Sequence, residues 1–261
     1  MWSLRKVTTS FFVIALLCLC LSDIEIISAD PWSELSRIAM GFALPSFFSW
    51  PELIKSVINT LAFALIGVAV AAILGLVLAR FFHWRVVRMF CAFIRSVHEL
   101  FWALFFLQIF GLQTLTGLLA IIIPFTGIFT KVYAEVIEEA DQKPLQSLSA
   151  NSLKTSSAYL YAKLAVAWPQ LVMYTRYRLE CGIRSSAILG FVGLPTLGFH
   201  LESFFKQGDY AEAAGVLYVF FLMIATLKFW SHRRSLLVLL IFSFFALPFD
   251  LNLHTDSIQR F

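Results

Sequence analysis

Charge is scarce in this chain: of 261 residues only 14% are Asp, Glu, Lys or Arg, against about 25% in an ordinary soluble domain. Cysteine is scarce too. Cys18, Cys20, Cys91 and Cys181 contain no CxxC pair and all fall within apolar runs, so neither a disulfide framework nor a zinc site is indicated. The five histidines are scattered. No GxxxxGK[ST] is present to cradle nucleotide phosphates, no HExxH to hold a catalytic zinc, and no GxSxG to present a nucleophilic serine. The sequence therefore predicts no catalytic residues, no metal and no cofactor. A net charge of +4, spread along the chain, gives no footing for nucleic acid.

What is abundant is apolar surface: 60% of residues are hydrophobic, with 28 Phe and 7 Trp. Such a composition belongs in a bilayer, where a span needs about 20 mostly apolar residues. Six runs meet that need, at 7–27, 53–79, 89–110, 115–132, 165–192 and 211–229, and a shorter seventh lies at 236–249. The first run also resembles a signal peptide, but its apolar stretch exceeds the usual 7 to 15 residues of such a core, so it is read as a retained anchor.

Lys and Arg near span ends stay on the cytoplasmic side. With the amino terminus inside, twelve of them fall in cytoplasmic segments, while Arg37, Lys55, Lys206 and Arg260 lie outside. Arg95, Arg176, Arg178 and Arg184 are left at membrane depth. The organisation that follows is an anchor at 1–30, an outer amphipathic segment at 31–52, a core at 53–235 with a polar cytoplasmic loop at 133–165, and an apolar segment and tail at 236–261. In the outer segment, Trp32, Leu35, Ile38, Ala39 and Phe42 recur at helical spacing, which suits a helix lying in the interface.

The stretch YTRYRLECGIRSSAILGFVG, residues 174–193, places Arg176, Arg178, Glu180 and Arg184 within nine positions of a buried-looking helix. Arg176, Glu180 and Arg184 recur every four residues and line one face, so Glu180 can pair with either arginine, and Arg178 points elsewhere. Ionisable groups at this depth face a bundle interior or a watery path. They form either an ion-pair ladder that locks helices together or the lining for an anionic solute. Gly190, Gly193, Pro195 and Gly198 then break the helix. At membrane depth, irregular backbone must be buried in protein or line a cavity; an ordinary external loop is the other reading.

Tyr177-Arg178-Leu179-Glu180 through Ile183-Arg184-Ser185-Ser186, followed by Leu189-Gly190-Phe191-Val192-Gly193, resembles the YRFE..IRSA.vLGlVGAGGIG run of the phosphonate ABC transporter permease family. Further matches come in the same order: Asn59-Thr60-Leu61-Ala62, Arg95 through Glu99-Leu100 and Trp102-Ala103, Tyr133 through Asp141, and Trp168-Pro169-Gln170. The sequence departs from the family where Leu194-Pro195-Thr196-Leu197 replaces the centre of the glycine run, where His98 stands for a proline, and where Ser156 stands for the glycine of the loop that docks on the ATPase.

The resemblance implies an all-α, polytopic membrane protein of about six or seven transmembrane helices with the type I ABC importer permease fold, in the bacterial inner membrane. It implies a subunit without enzymatic activity, working with a separate ABC ATPase, a periplasmic solute-binding protein and a second permease copy, within membrane lipid. The solute it implies is a phosphonate or related phosphorus oxyanion. Arg176, Arg178, Glu180, Arg184, Gly190, Gly193 and Gly198 become pathway or gate residues, and Glu138, Glu139, Asp141, Asn151, Lys154 and Ser156 the ATPase-coupling loop. From the residues alone, an ion-coupled secondary transporter and a non-transporting membrane scaffold stand as alternatives.

Overall fold

The computed structural model describes residues 4–22, 30–140, 163–230 and 233–247, and every regular element among them is helical. The chain divides after Met40 into two units. In the first, Leu4–Leu21 forms α1, whose apolar part runs over Lys6–Leu21. Helix α2, Pro31–Ala43, begins in this unit. Pro31 supplies a helical φ at the first position, and the Ser33 N–H donates to Asp30 Oδ1 at 3.3 Å, satisfying one of the free donors of the first turn.

The second unit is organised around α3, Trp50–Ala79, thirty residues long and buried most continuously over Ala62–Val68. It packs against α6, Thr114–Glu139, against α7, Ala165–Ile188, and against α10, Arg233–Ala246. In a membrane, helices associate through close van der Waals packing, which small residues permit. Gly75 shows this: a Cβ there would lie 2.5 Å from the Cβ of Phe129 on α6.

The apolar run expected as one span at 89–110 is two helices. Arg85–Ser96 forms α4 and Glu99–Phe110 forms α5, bent by 91° at Val97 and His98. Both hinge residues take extended backbone, and the His98 Nδ1 accepts from the Leu100 N–H at 3.2 Å, so histidine caps α5 where the resembling family carries a helix-breaking proline. Trp102 Nε1 donates back to the Ile94 carbonyl at 3.3 Å, tying the two arms together.

After α7 a 3-10 turn, Leu189–Val192, leads into α8, Leu197–Gln207, and then α9, Tyr210–Trp230. Among the described residues three helices are long and apolar enough to cross a membrane, α3, α6 and α9, and the count reaches five if each bent pair, α4–α5 and α7–α8, is one span. α10 has 14 residues, short for a span as its sequence run is.

Candidate solute pathway and gate

Helix α7 carries all four charges singled out from the sequence. Glu180 pairs with Arg184: Nη2 lies 2.7 Å from Oε1, with the arginine side chain 60% exposed and the carboxylate 36%. Glu180 thus takes Arg184 as its partner, and Arg176 is not part of the pair. It is exposed and opens onto a groove between α3, α7 and α10.

Arg178 lies on another face, as the spacing predicts. Its guanidinium carbon sits 5.2 Å from the ring centroid of Phe125 on α6 and 5.9 Å from that of Tyr174 one turn earlier. Its Nε is buried without a hydrogen-bond partner, and among the described residues no carboxylate pairs with it. Aromatic faces stabilise a cation most where water is excluded, so Arg178 is held by π-faces and anchors α7 to α6 rather than joining the ion pair.

The bend after α7 is built by glycine, each for its own reason. Gly193 takes φ +95°, the left-handed conformation that ends the 3-10 turn. A Cβ on Gly198 would overlap the carbonyl of Ala187, and one on Gly190 would overlap the backbone of Gly198 and Phe199. The first turn of α8 therefore lies backbone to backbone on the end of α7, and the pair is bent by 51°. Gly190, Val192, Leu194, Thr196 and Gly198 are buried while Phe191 and Pro195 between them are exposed, so one side of the irregular segment packs against protein.

Polar residues of α3 and α5 hold this region in place, a role not assigned to them from sequence. Asn59 Nδ2 donates to the Pro195 carbonyl at 3.0 Å, and the Leu197 N–H donates to Thr60 Oγ1 at 2.9 Å. Thr60 is completely buried and passes its own proton to the Ser56 carbonyl at 2.6 Å. Ser185 Oγ donates to Glu99 Oε2 at 2.7 Å, joining α7 to the first turn of α5. Polar side chains interrupting an otherwise apolar helix were the available signal for Asn59 and Thr60.

Of the coupling residues, Glu138 and Glu139 close α6. Asp141, Asn151, Lys154 and Ser156 lie outside the described residues.

The phosphite transport system permease protein PtxC of Stutzerimonas stutzeri is 31% identical over 202 residues, 73% of this chain and 73% of that protein. The chain belongs to the phosphonate ABC transporter permease family. The putative phosphite permease HtxC of the same organism is 27% identical over 90% of this chain and 88% of its own length. The phosphate-import permease PhnE of Mycolicibacterium smegmatis is 29% identical over 66% of this chain, which spans only 34% of that longer protein. No protein-family model matches the chain.

Two solved structures share the fold. The MetNI methionine ABC transporter in inward-facing form superposes with a TM-score of 0.66 at 15% identity, over 74% of this chain and 99% of that one. An amino acid ABC transporter gives 0.59 at 16% identity, over 82% and 99%. The chain is thus a multi-pass permease subunit of an ATP-driven importer, a transport component rather than an enzyme. The Glu180–Arg184 pair lies on α7, and the glycine bend that follows α7 is clamped by Asn59 and Thr60 of α3.

Proposed function

We propose that this permease conducts a phosphonate or a related phosphorus oxyanion such as phosphite, with Glu180 and Arg184 on the wall of the path. The observation that carries this reading is an exposed, ionised pair on a helix of a membrane protein. Facing lipid, such a pair would be costly, so its place is against water or against another protomer. Guanidinium offers a planar fork of donors matched to phosphorus oxyanions. Glu180, one turn away, holds Arg184 in place between passages and competes with the solute for it, so that binding stays reversible.

The names of the relatives support the solute class. In this reading two copies of the chain form one path in the bacterial inner membrane, with the amino terminus cytoplasmic. A separate ABC ATPase docks on the segment at 133–165, and an external solute-binding protein delivers the solute. The test is reconstitution of the permease with an ATPase and a binding protein in liposomes. ATP-dependent accumulation of labelled phosphite or methylphosphonate is expected. Accumulation driven by an ion gradient without ATP would replace this reading with a secondary transporter.

A further inference from the structure

A groove of about 420 Å³ opens between α3, α7 and α10. Its walls are apolar, with Ala72 and Leu76 from α3, Leu171 from α7, and Leu236 and Leu240 from α10. The polar groups inside it satisfy each other: Tyr133 Oη and Thr175 Oγ1 are 2.6 Å apart. Among its lining residues Arg176 is the sole charge, and it is exposed with no carboxylate pairing it among the described residues.

The groove lies beside the charged end of α6. Tyr133 lies between Lys131 and Glu135, whose 3.4 Å ion pair marks where exposed charge returns on α6. Its bond to Thr175 sets Arg176 beside that charged end of α6. Side chains on a helix tilt toward its start, and for Arg176 that is the direction of the polar end of α6.

We infer that this groove is a site for an anionic phospholipid, with one acyl chain between α3 and α10 and the headgroup phosphate on Arg176. A hydrated phosphate alone would gain nothing from the leucine walls, and the phosphate of a zwitterionic lipid is already balanced by the cation of its own headgroup, whereas that of an anionic lipid is left for Arg176. Basic pockets between helices are suited to anionic headgroups. The inference rests on the chain's place in the membrane and not on the solute it carries. It also separates Arg176 from the Glu180–Arg184 pair in role as well as in contact.

The experiment uses the permease–ATPase complex purified from native membranes, exchanged into nanodiscs of equal phosphatidylglycerol and phosphatidylcholine, then released into detergent and weighed by native mass spectrometry. The wild type should retain phosphatidylglycerol in preference to phosphatidylcholine. Arg176→Gln should lower that retention severalfold, and Arg176→Lys should restore most of it. Leu240→Trp, which fills the groove, should remove retained lipid of both kinds, with a thermal melt confirming that the complex remains folded. Equal retention of the two lipids by the wild type, or unchanged phosphatidylglycerol in Arg176→Gln, overturns the inference. Loss of solute uptake in Arg184→Gln with lipid retention intact would bear on the solute path alone, so the two readings fail separately.

Discussion

Ser185 on α7 donates a 2.7 Å hydrogen bond to the carboxylate of Glu99 at the start of α5, across 86 residues of sequence. The contact links the helix that carries the ion pair to the hinge that breaks the α4–α5 span. A half-buried carboxylate that loses a hydrogen-bond donor retains its desolvation cost without the compensating bond.

Ser185→Ala should therefore destabilise the permease by about 1–2 kcal/mol. Ser185→Thr, which keeps the hydroxyl, should lose less. The measurement is thermal unfolding of the purified subunit in detergent. Equal melting of Ser185→Ala and wild type would show that the contact contributes nothing to holding α5 against α7.

The glycine bend makes a graded prediction. Gly198→Ala places a methyl group on the Ala187 carbonyl and must push α8 off α7, so little folded permease should accumulate. Gly193 faces open space apart from the flexible end of Leu112. Gly193→Ala should therefore cost only the left-handed strain, about 1–2 kcal/mol. Thr60→Val should cost about 1–3 kcal/mol by leaving the buried Leu197 N–H unpaired. Expression level and melting temperature rank the three, and a Gly193→Ala variant worse than Gly198→Ala would contradict the packing described.

The coupling loop is assigned from sequence. Charge reversal at Lys154 or a bulky residue at Ser156 should uncouple ATP hydrolysis from uptake, whereas Ser156→Gly should be neutral or better, since serine can hold a turn by local hydrogen bonding where glycine holds it by backbone freedom. Solute-stimulated ATPase activity of the reconstituted complex is the readout. Full stimulation in the bulky variants would place coupling elsewhere on the chain.

Local pattern accounts for most of what was legible beforehand. Apolar runs marked α3, α6 and α9, and glycine with proline marked the bend after α7. The choice of Glu180 between two arginines was also within reach, because a glutamate one turn before its basic partner is the better order, and that order selects Arg184 over Arg176. The 91° hinge at Val97 and His98 was hidden inside an apolar run long enough for one span. Arg95 and Glu99, charges on either side of the hinge, were its trace. Asn59 with Pro195, and Thr60 with Leu197, are partners more than 130 residues apart. Periodicity speaks only of neighbours along one helix, so those contacts, and the cation–π seat of Arg178, needed the fold.

The central claim is that the Glu180–Arg184 pair lines the path of an anionic solute. Its most direct test is ATP-driven uptake of labelled phosphite or phosphonate by liposomes holding the complete transporter with Arg184→Gln, beside Glu180→Gln and the wild type. All three should insert and bind ATPase equally. Arg184→Gln should lose uptake while Glu180→Gln, which frees the arginine, binds solute more tightly and releases it more slowly. Wild-type uptake and solute affinity in both variants would contradict the account and leave the pair as a structural lock between helices.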